Sequence, residues 1–207
     1  MASKFRIRIV FKPLVNLIAK GLIRVGISPN FATIIMLCFS ILSFISLVAF
    51  QNLLYFSIFV FITGIMDGCD GAIARLTSKS TKFGGFFDSF MDRISEFFIF
   101  LGLLIYSQDQ FLWNCIDMRI IILISLITSI MISYSRARAE VFFKGDFDIG
   151  LMARSERLFC IVIISIIGFI SNLVNLFLFI FMILVIGTLI FRILHIYYKI
   201  KKKDNQN

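Results

Sequence analysis

Six long, mostly apolar runs limit what this chain can fold into: residues 31–50, 53–75, 85–106, 120–140, 153–170 and 173–198. A helix that crosses a bilayer needs about 20 such residues, rising 1.5 Å each through about 30 Å of hydrocarbon. Each run is near that length, and the joints between them are short and polar, as at Gln51-Asn52, 107–109 and Ser171-Asn172. Of the 207 residues 59% are hydrophobic and 16% charged, against about 45–50% and about 25% in soluble domains. A soluble domain is excluded, and so is a disordered chain, which would be rich in Pro, Ser and Gly. The expectation is an all-α integral membrane protein with six transmembrane helices.

Orientation follows from the basic residues. Twenty of the 21 Lys and Arg fall on one side of this layout, in the arm up to Arg24, in 75–93, in 136–157 and in 192–203; only Arg119 falls on the other. The positive-inside rule puts both termini in the cytosol, as an even number of spans requires. The net charge of +9 is therefore topological and suits an anionic leaflet; no nucleic-acid partner is expected. The arm opens with Lys4, Arg6 and Arg8 and lacks a cleavable signal. Within it Leu14, Leu17, Ile18, Leu22 and Val25 recur at helical spacing opposite Asn16, Lys20 and Arg24. This predicts an interfacial amphipathic helix on the cytosolic surface, ending at Gly26 before Pro29-Asn30 breaks the chain. The expected organisation is a cytosolic arm over 1–28, a membrane domain over 29–200 and a polar, basic tail over 201–207. Cys38, Cys69, Cys115 and Cys160 share no short spacing and read as isolated thiols.

Five of the six runs carry charge toward the cytosolic side, and intramembrane ionisable groups must face protein or water. Together they imply a polar cavity in the inner leaflet, open to the cytosol. The densest part is D-G-C-D-G-A-I-A-R-L-T-S-K-S-T-K-F-G-G-F-F-D-S-F-M-D, from Asp67 to Asp92. Asp67 and Asp70, three apart, share one helix face, and Asp88 and Asp92, four apart, share another. The polar, Gly-containing stretch between them turns the chain back, so the two pairs should face each other across an antiparallel helix pair. Four uncompensated carboxylates there repel by several kcal/mol. One or two divalent cations remove the difficulty, and an all-oxygen ligand set points to Mg²⁺ or Mn²⁺. A single intramembrane Asp would serve an ion relay as well as a metal; four on consecutive helices with an Arg between favour a metal site over a cation transporter. Gly71, Ala74, Gly84 and Gly85 leave room for a ligand or for close helix packing. Arg75 can snorkel or hold a diphosphate.

The segment matches D-x2-D-G-x2-A-R-x8-G-x3-D-x3-D at all eight fixed positions: Asp67, Asp70, Gly71, Ala74, Arg75, Gly84, Asp88 and Asp92. This pattern, with six spans and a surface helix, resembles the CDP-alcohol phosphotransferase family over nearly the whole chain. The resemblance implies that a CDP-lipid gives its phosphoalcohol part to an acceptor hydroxyl while CMP leaves. It also implies a homodimer in the cell membrane with the active site facing the cytosol. By the same resemblance Asp67, Asp70, Asp88 and Asp92 hold two metal ions, and Asp92 is also the general base. Asn30, Phe31, Ala32, Thr33, Gly71, Ala74, Arg75 and Thr81 match positions that hold the CDP-lipid.

For the acceptor, Ser133-Tyr134-Ser135-Arg136-Ala137-Arg138-Ala139-Glu140 and Ala153-Arg154-Ser155-Glu156-Arg157-Leu158 resemble segments of phosphatidylinositol-phosphate and archaetidylinositol-phosphate synthases. The resemblance assigns Ser133, Arg136, Arg154 and Arg192 to a pocket for inositol phosphate. Three buried cations need counter-charge, which a dianionic acceptor supplies. Arg138, Glu140, Glu156 and Arg157 are expected in inter-helix ion pairs instead. The Ile-, Phe- and Lys-rich composition favours CDP-archaeol over CDP-diacylglycerol as the lipid. Glycerol 3-phosphate as acceptor, or CDP-inositol joined to inositol phosphate, are the alternatives.

Overall fold

Helix ends fall where the chain supplies its own caps. In the computed structural model α1 spans Ile7–Arg24. Gly26 then takes φ +81°, with Gly26 N–H donating to Ile23 O and Ile27 N–H to Leu22 O, both at 3.0 Å; this closes the helix in a left-handed turn that Gly enters without a Cβ penalty. Pro29 does more than break the chain: it opens α2 (Pro29–Phe50), where Ser28 Oγ accepts from Phe31 N–H at 3.3 Å. Its missing N–H costs nothing in a first turn. Asn52 caps α3 (Leu53–Leu76), accepting from Leu54 N–H at 2.9 Å and Tyr55 N–H at 3.1 Å. Thr81 caps α4 (Lys82–Tyr106) through Gly84 N–H at 2.9 Å. The remaining helices are α5 (Met118–Phe142), α6 (Arg154–Ile170) and α7 (Val174–Asp204). The structure describes residues 7–142 and 149–204, with side chains as far as Lys201. Lys4, Arg6, Lys144, the side chains of Lys202 and Lys203, and the last residues of the tail lie outside the described residues.

The six expected runs coincide with α2 to α7 to within a few residues, apart from α7, which runs on to Asp204. Four helices are long and apolar enough to cross a membrane: α2, α3, α5 and the Val174–Lys201 part of α7. The other two depart for visible reasons. Helix α4 has 25 residues but carries Asp88, Asp92, Arg93 and Glu96, and α6 has only 17. The loop after α4 contains a hairpin that the sequence reading did not foresee, Phe111–Leu112 (β1) antiparallel to Ile116–Asp117 (β2). Its turn uses positive φ at Trp113 and Asn114. Arg119 sits beside it, 2.6 Å from Asp117, and holds that carboxyl below the usual carboxylate range.

Helix α2 packs against both α3 and α4, α3 against α6, and α5 against α7. The larger apolar core gathers around Phe56, Phe100 and Phe181; the smaller forms around Met36 and Ile73, where α1 joins α2 and α3. Helix α1 divides its apolar residues differently from the expected single stripe. Ala19 is buried, and Val15, Ile18 and Leu22 pack on the smaller core, while Leu14, Leu17 and, just past the helix, Val25 are exposed. A Cβ on Gly68 would lie 3.1 Å from Val15, so α1 rests in the notch this glycine leaves on α3.

Gly102 allows α2 and α4 to approach each other: a Cβ there would lie 3.3 Å from Phe44 Cα, a backbone atom that cannot swing away. Gly102→Val should therefore destabilise the fold by about 1–3 kcal/mol, the usual cost of overpacking. A thermal melt in detergent should show a lower midpoint, and an unchanged midpoint would show that the helices can separate freely.

Candidate active site

The last turns of α3 and the first turns of α4 deliver the carboxylates to a cavity of about 550 Å³, which is also walled by α1, α5, α6 and α7. Asp67 from α3 and Asp88 and Asp92 from α4 each offer an oxygen, all within 4.8 Å of one another. The i,i+4 spacing of Asp88 and Asp92 puts both on the face turned to α3. Asp70 lies beside this group. It is buried, accepts from Thr33 Oγ1 at 2.9 Å and from Gly71 N–H, and borders Asp88.

Arg154, the first residue of α6, reaches into the cluster and ion-pairs with both Asp67 and Asp92. Its Nη2 also donates to Ser95 Oγ at 2.9 Å. The carboxylates thus converge on one guanidinium, but their capacity is not filled. Asp88 Oδ1 and Asp92 Oδ1 are buried without a hydrogen-bond partner, the second in ionic contact with Arg154. An all-oxygen donor set with free lone pairs at this spacing fits a hard divalent cation such as Mg²⁺ or Mn²⁺.

The residues matched to the CDP-lipid divide into two places. Gly71 and Arg75 line the cavity. A Cβ on Gly71 would stand 3.2 Å from Arg75 Nη1, so the glycine makes room for that guanidinium. Asn30 and Thr81 meet instead at Gly84, where a Cβ would come within 3.4 Å and 3.0 Å of their side-chain oxygens. Thr33 touches Asp70, Ala32 is buried in the smaller core, Phe31 is exposed, and Ala74 is half-buried.

Ser133, Arg136, Arg154 and Arg192 all line the same cavity, but they are not three buried arginines awaiting counter-charge. Arg136 is 43% exposed and pairs with Glu140 at 2.8 Å. Arg154 has Asp67 and Asp92. Arg192 is buried; its Nε and Nη2 donate to Ile149 O at 3.0 and 2.7 Å and its Nη1 to Ile132 O at 2.9 Å. Burying a cation is costly enough that the protein supplies acceptors from its own backbone and carboxylates. The expected inter-helix ion pairs also need correction. Among the described residues only Arg157 of the four forms one, with Glu96 of α4 at 2.8 Å. Glu140 turns to Arg136 on its own helix, Arg138 lies over the Phe142 ring at 4.6 Å, and Glu156 accepts from Ser155 Oγ at 3.0 Å. Two contributions were missed: Glu96 as the partner of Arg157, and the α1 residues Ile7, Arg8, Phe11 and Val15 in the cavity wall. The first had a signal, because Glu96 follows Asp92, and Arg157 follows Arg154, by one helical turn.

The family described as CDP-alcohol phosphatidyltransferase matches residues 26–194. The chain is 36% identical over 165 residues to the archaetidylinositol phosphate synthase of Pyrococcus horikoshii, covering 80% of this chain and 82% of that one. It is 33% identical over 156 residues to the phosphatidylinositol phosphate synthase of Mycobacteroides abscessus, covering 75% and 69%. Among solved structures it resembles the Mycobacterium tuberculosis phosphatidylinositol phosphate synthase with CDP-DAG bound, with a TM-score of 0.76 and 29% identity over 89% of this chain and 94% of that one. The same mycobacterial enzyme in complex with manganese and citrate superposes with a TM-score of 0.77 and 28% identity, covering 88% of each chain.

Proposed function

The chain belongs to the CDP-alcohol phosphatidyltransferase family, and from that premise we propose that it transfers the lipid phosphate of a CDP-lipid to a hydroxyl of inositol 1-phosphate, releasing CMP. The observation that carries this reading is a single cavity holding both the Asp67, Asp88 and Asp92 cluster and the polar set Ser133, Arg136, Arg154 and Arg192. The names of the archaeal and mycobacterial relatives support the same acceptor. The likeness to the Pyrococcus enzyme favours CDP-archaeol as donor, with CDP-diacylglycerol the alternative.

In this reading Asp67, Asp70, Asp88 and Asp92 hold one or two Mg²⁺ or Mn²⁺ ions. Bound there, such an ion would neutralise the diphosphate and stabilise CMP as the leaving group. Arg75 holds the diphosphate across Gly71, and Asn30 and Thr81 hold the nucleotide end. Asp92 takes the proton of the acceptor hydroxyl as its oxygen attacks the lipid-side phosphorus. The bond from that phosphorus to the bridging oxygen breaks, and the electron pair leaves with CMP. Ser133 and the three arginines orient the acceptor phosphate.

Helices α2 to α7 then span the membrane with both termini in the cytosol, the side on which nearly all the basic residues fall. Helix α1 lies in the cytosolic interface, where exposed Leu14, Leu17 and Val25 meet the lipid. Family resemblance adds a homodimer.

The test is CMP release from vesicles containing CDP-archaeol or CDP-diacylglycerol, with a panel of acceptors. Inositol 1-phosphate should be used and free inositol should not. A phosphate monoester brings close to two negative charges and oxygens that suit guanidinium donors, neither of which an uncharged acceptor supplies. Arg136→Ala should raise the acceptor KM at least about tenfold, the worth of one charge-assisted hydrogen bond. Equal use of free inositol overturns the acceptor assignment, and preference for glycerol 3-phosphate hands the function to that acceptor.

A further inference from the structure

Arg157 and Glu96 line the catalytic cavity yet are only 0% and 1% exposed. Arg157 presents its fork to Glu96, Nε donating to Oε1 at 2.8 Å and Nη2 to Oε2 at 3.0 Å. Its Nη1 donates to Met152 O at 3.1 Å, and its Nη2 also reaches Ser133 Oγ at 3.2 Å. One side chain of α6 therefore ties α4, α5 and the segment before α6 together. The bridge runs parallel to a second one. Asp92 and Glu96 are one turn apart on α4, Arg154 and Arg157 one turn apart on α6, and the ion pairs Asp92–Arg154 and Glu96–Arg157 form two rungs. Among the described residues, α4 and α6 make no extensive packing of their own.

Stability alone gives no reason for such a rung, because a buried ion pair can often be replaced by apolar residues of similar volume without loss. What apolar residues cannot do is orient polar neighbours. A guanidinium has donors only, so Ser133 Oγ must accept from Arg157. The hydroxyl hydrogen is then left for Ser129 O, at a long 3.3 Å, or for the cavity. By holding Met152 O, Arg157 also fixes the strand of chain whose Ile149 carbonyl anchors Arg192.

We propose that Glu96 and Arg157 are positioning residues for the acceptor: the pair sets Ser133 as a donor toward the cavity and holds the segment that aims Arg192, in register with the carboxylates on α4. This rests on the acceptor pocket assigned above. It predicts a division that a purely structural pair would not show, in which acceptor recognition depends on the pair and donor binding does not.

The experiment compares Glu96→Gln, Arg157→Lys and the double variant Glu96→Gln/Arg157→Met with the wild type. It measures the KM for whichever acceptor of the panel the wild type uses best, the dissociation constant for CDP-diacylglycerol without acceptor, and the melting midpoint. Glu96→Gln should raise the acceptor KM at least about tenfold and leave CDP-diacylglycerol affinity within about twofold. Arg157→Lys, which keeps the charge but not the fork, should fall between it and the wild type. The double variant carries the decision, and also stands in if a single variant does not fold. With both charges gone its midpoint should return toward the wild-type value, while its acceptor KM stays raised. Recovery of both midpoint and acceptor KM in the double variant overturns the proposal, as does an equal loss of donor and acceptor binding. If the wild type prefers an uncharged acceptor, the proposed function fails, and the positioning role is still decided by the KM for that acceptor.

Discussion

Asp88→Asn is expected to abolish CMP release at ordinary Mg²⁺ concentrations. Its Oδ1 is buried with no hydrogen-bond partner and lies in the cluster with Asp67 and Asp92, which leaves it available to a cation. An amide offers that position a neutral oxygen in place of a charged one, and loss of a ligand's charge should exceed the about 10–100-fold that lost outer-shell partners cost in metal affinity or activity. The same holds for Asp67→Asn and Asp70→Asn. Folding should survive, because the substitution removes one of several mutually repelling charges. Two measurements check this. CMP release should follow Mg²⁺ and Mn²⁺ in the wild type and be lost in chelator buffer. Without any substrate, saturating Mn²⁺ should raise the wild-type melting midpoint, since a ligand at about 100 times its dissociation constant adds about 2.7 kcal/mol, and should not raise that of the variant. Full activity in metal-free chelator buffer would end the metal assignment.

Asp92→Asn should separate chemistry from binding. The proposed base acts only as the acceptor hydroxyl is deprotonated, and positioned general bases contribute about 10²–10⁴-fold. Measured at saturating Mg²⁺, which offsets the lost ligand charge, the kcat should fall by that order, while CDP-lipid affinity changes far less. Asparagine keeps the shape that Arg154 packs against but cannot take a proton. Single-turnover kinetics beside equilibrium binding of CDP-diacylglycerol read the two effects separately. A collapse of CDP-lipid affinity with kcat preserved would make Asp92 a ligand and nothing more.

The helices were legible because what forms them is local. Ser28-Pro29, Asn52 and Thr81 announce helix starts within three residues of the N–H groups they satisfy, and the apolar runs announce length directly. The Asp67–Asp92 motif was equally legible, since i,i+3 and i,i+4 spacings put carboxylates on one face whatever surrounds them. Legibility weakened at the arginines. Arg154 was visible as a cation at the start of a helix, but its partner Asp67 is 87 residues away. Glu140 was expected to look outward to another helix and instead pairs with Arg136 one turn back on its own.

What the chain determines by itself, then, is the set of helices, their apolar length and the carboxylate face, because each depends on residues within a turn or two of one another. Tertiary structure decided the rest. Packing α3 against α6 brought Arg154 between Asp67 and Asp92, α1 settled into the notch at Gly68, and Arg157 found Glu96 across a gap that backbone packing does not close. A buried charge takes the partner that the surrounding helices place within reach, and that choice is made only when they are assembled.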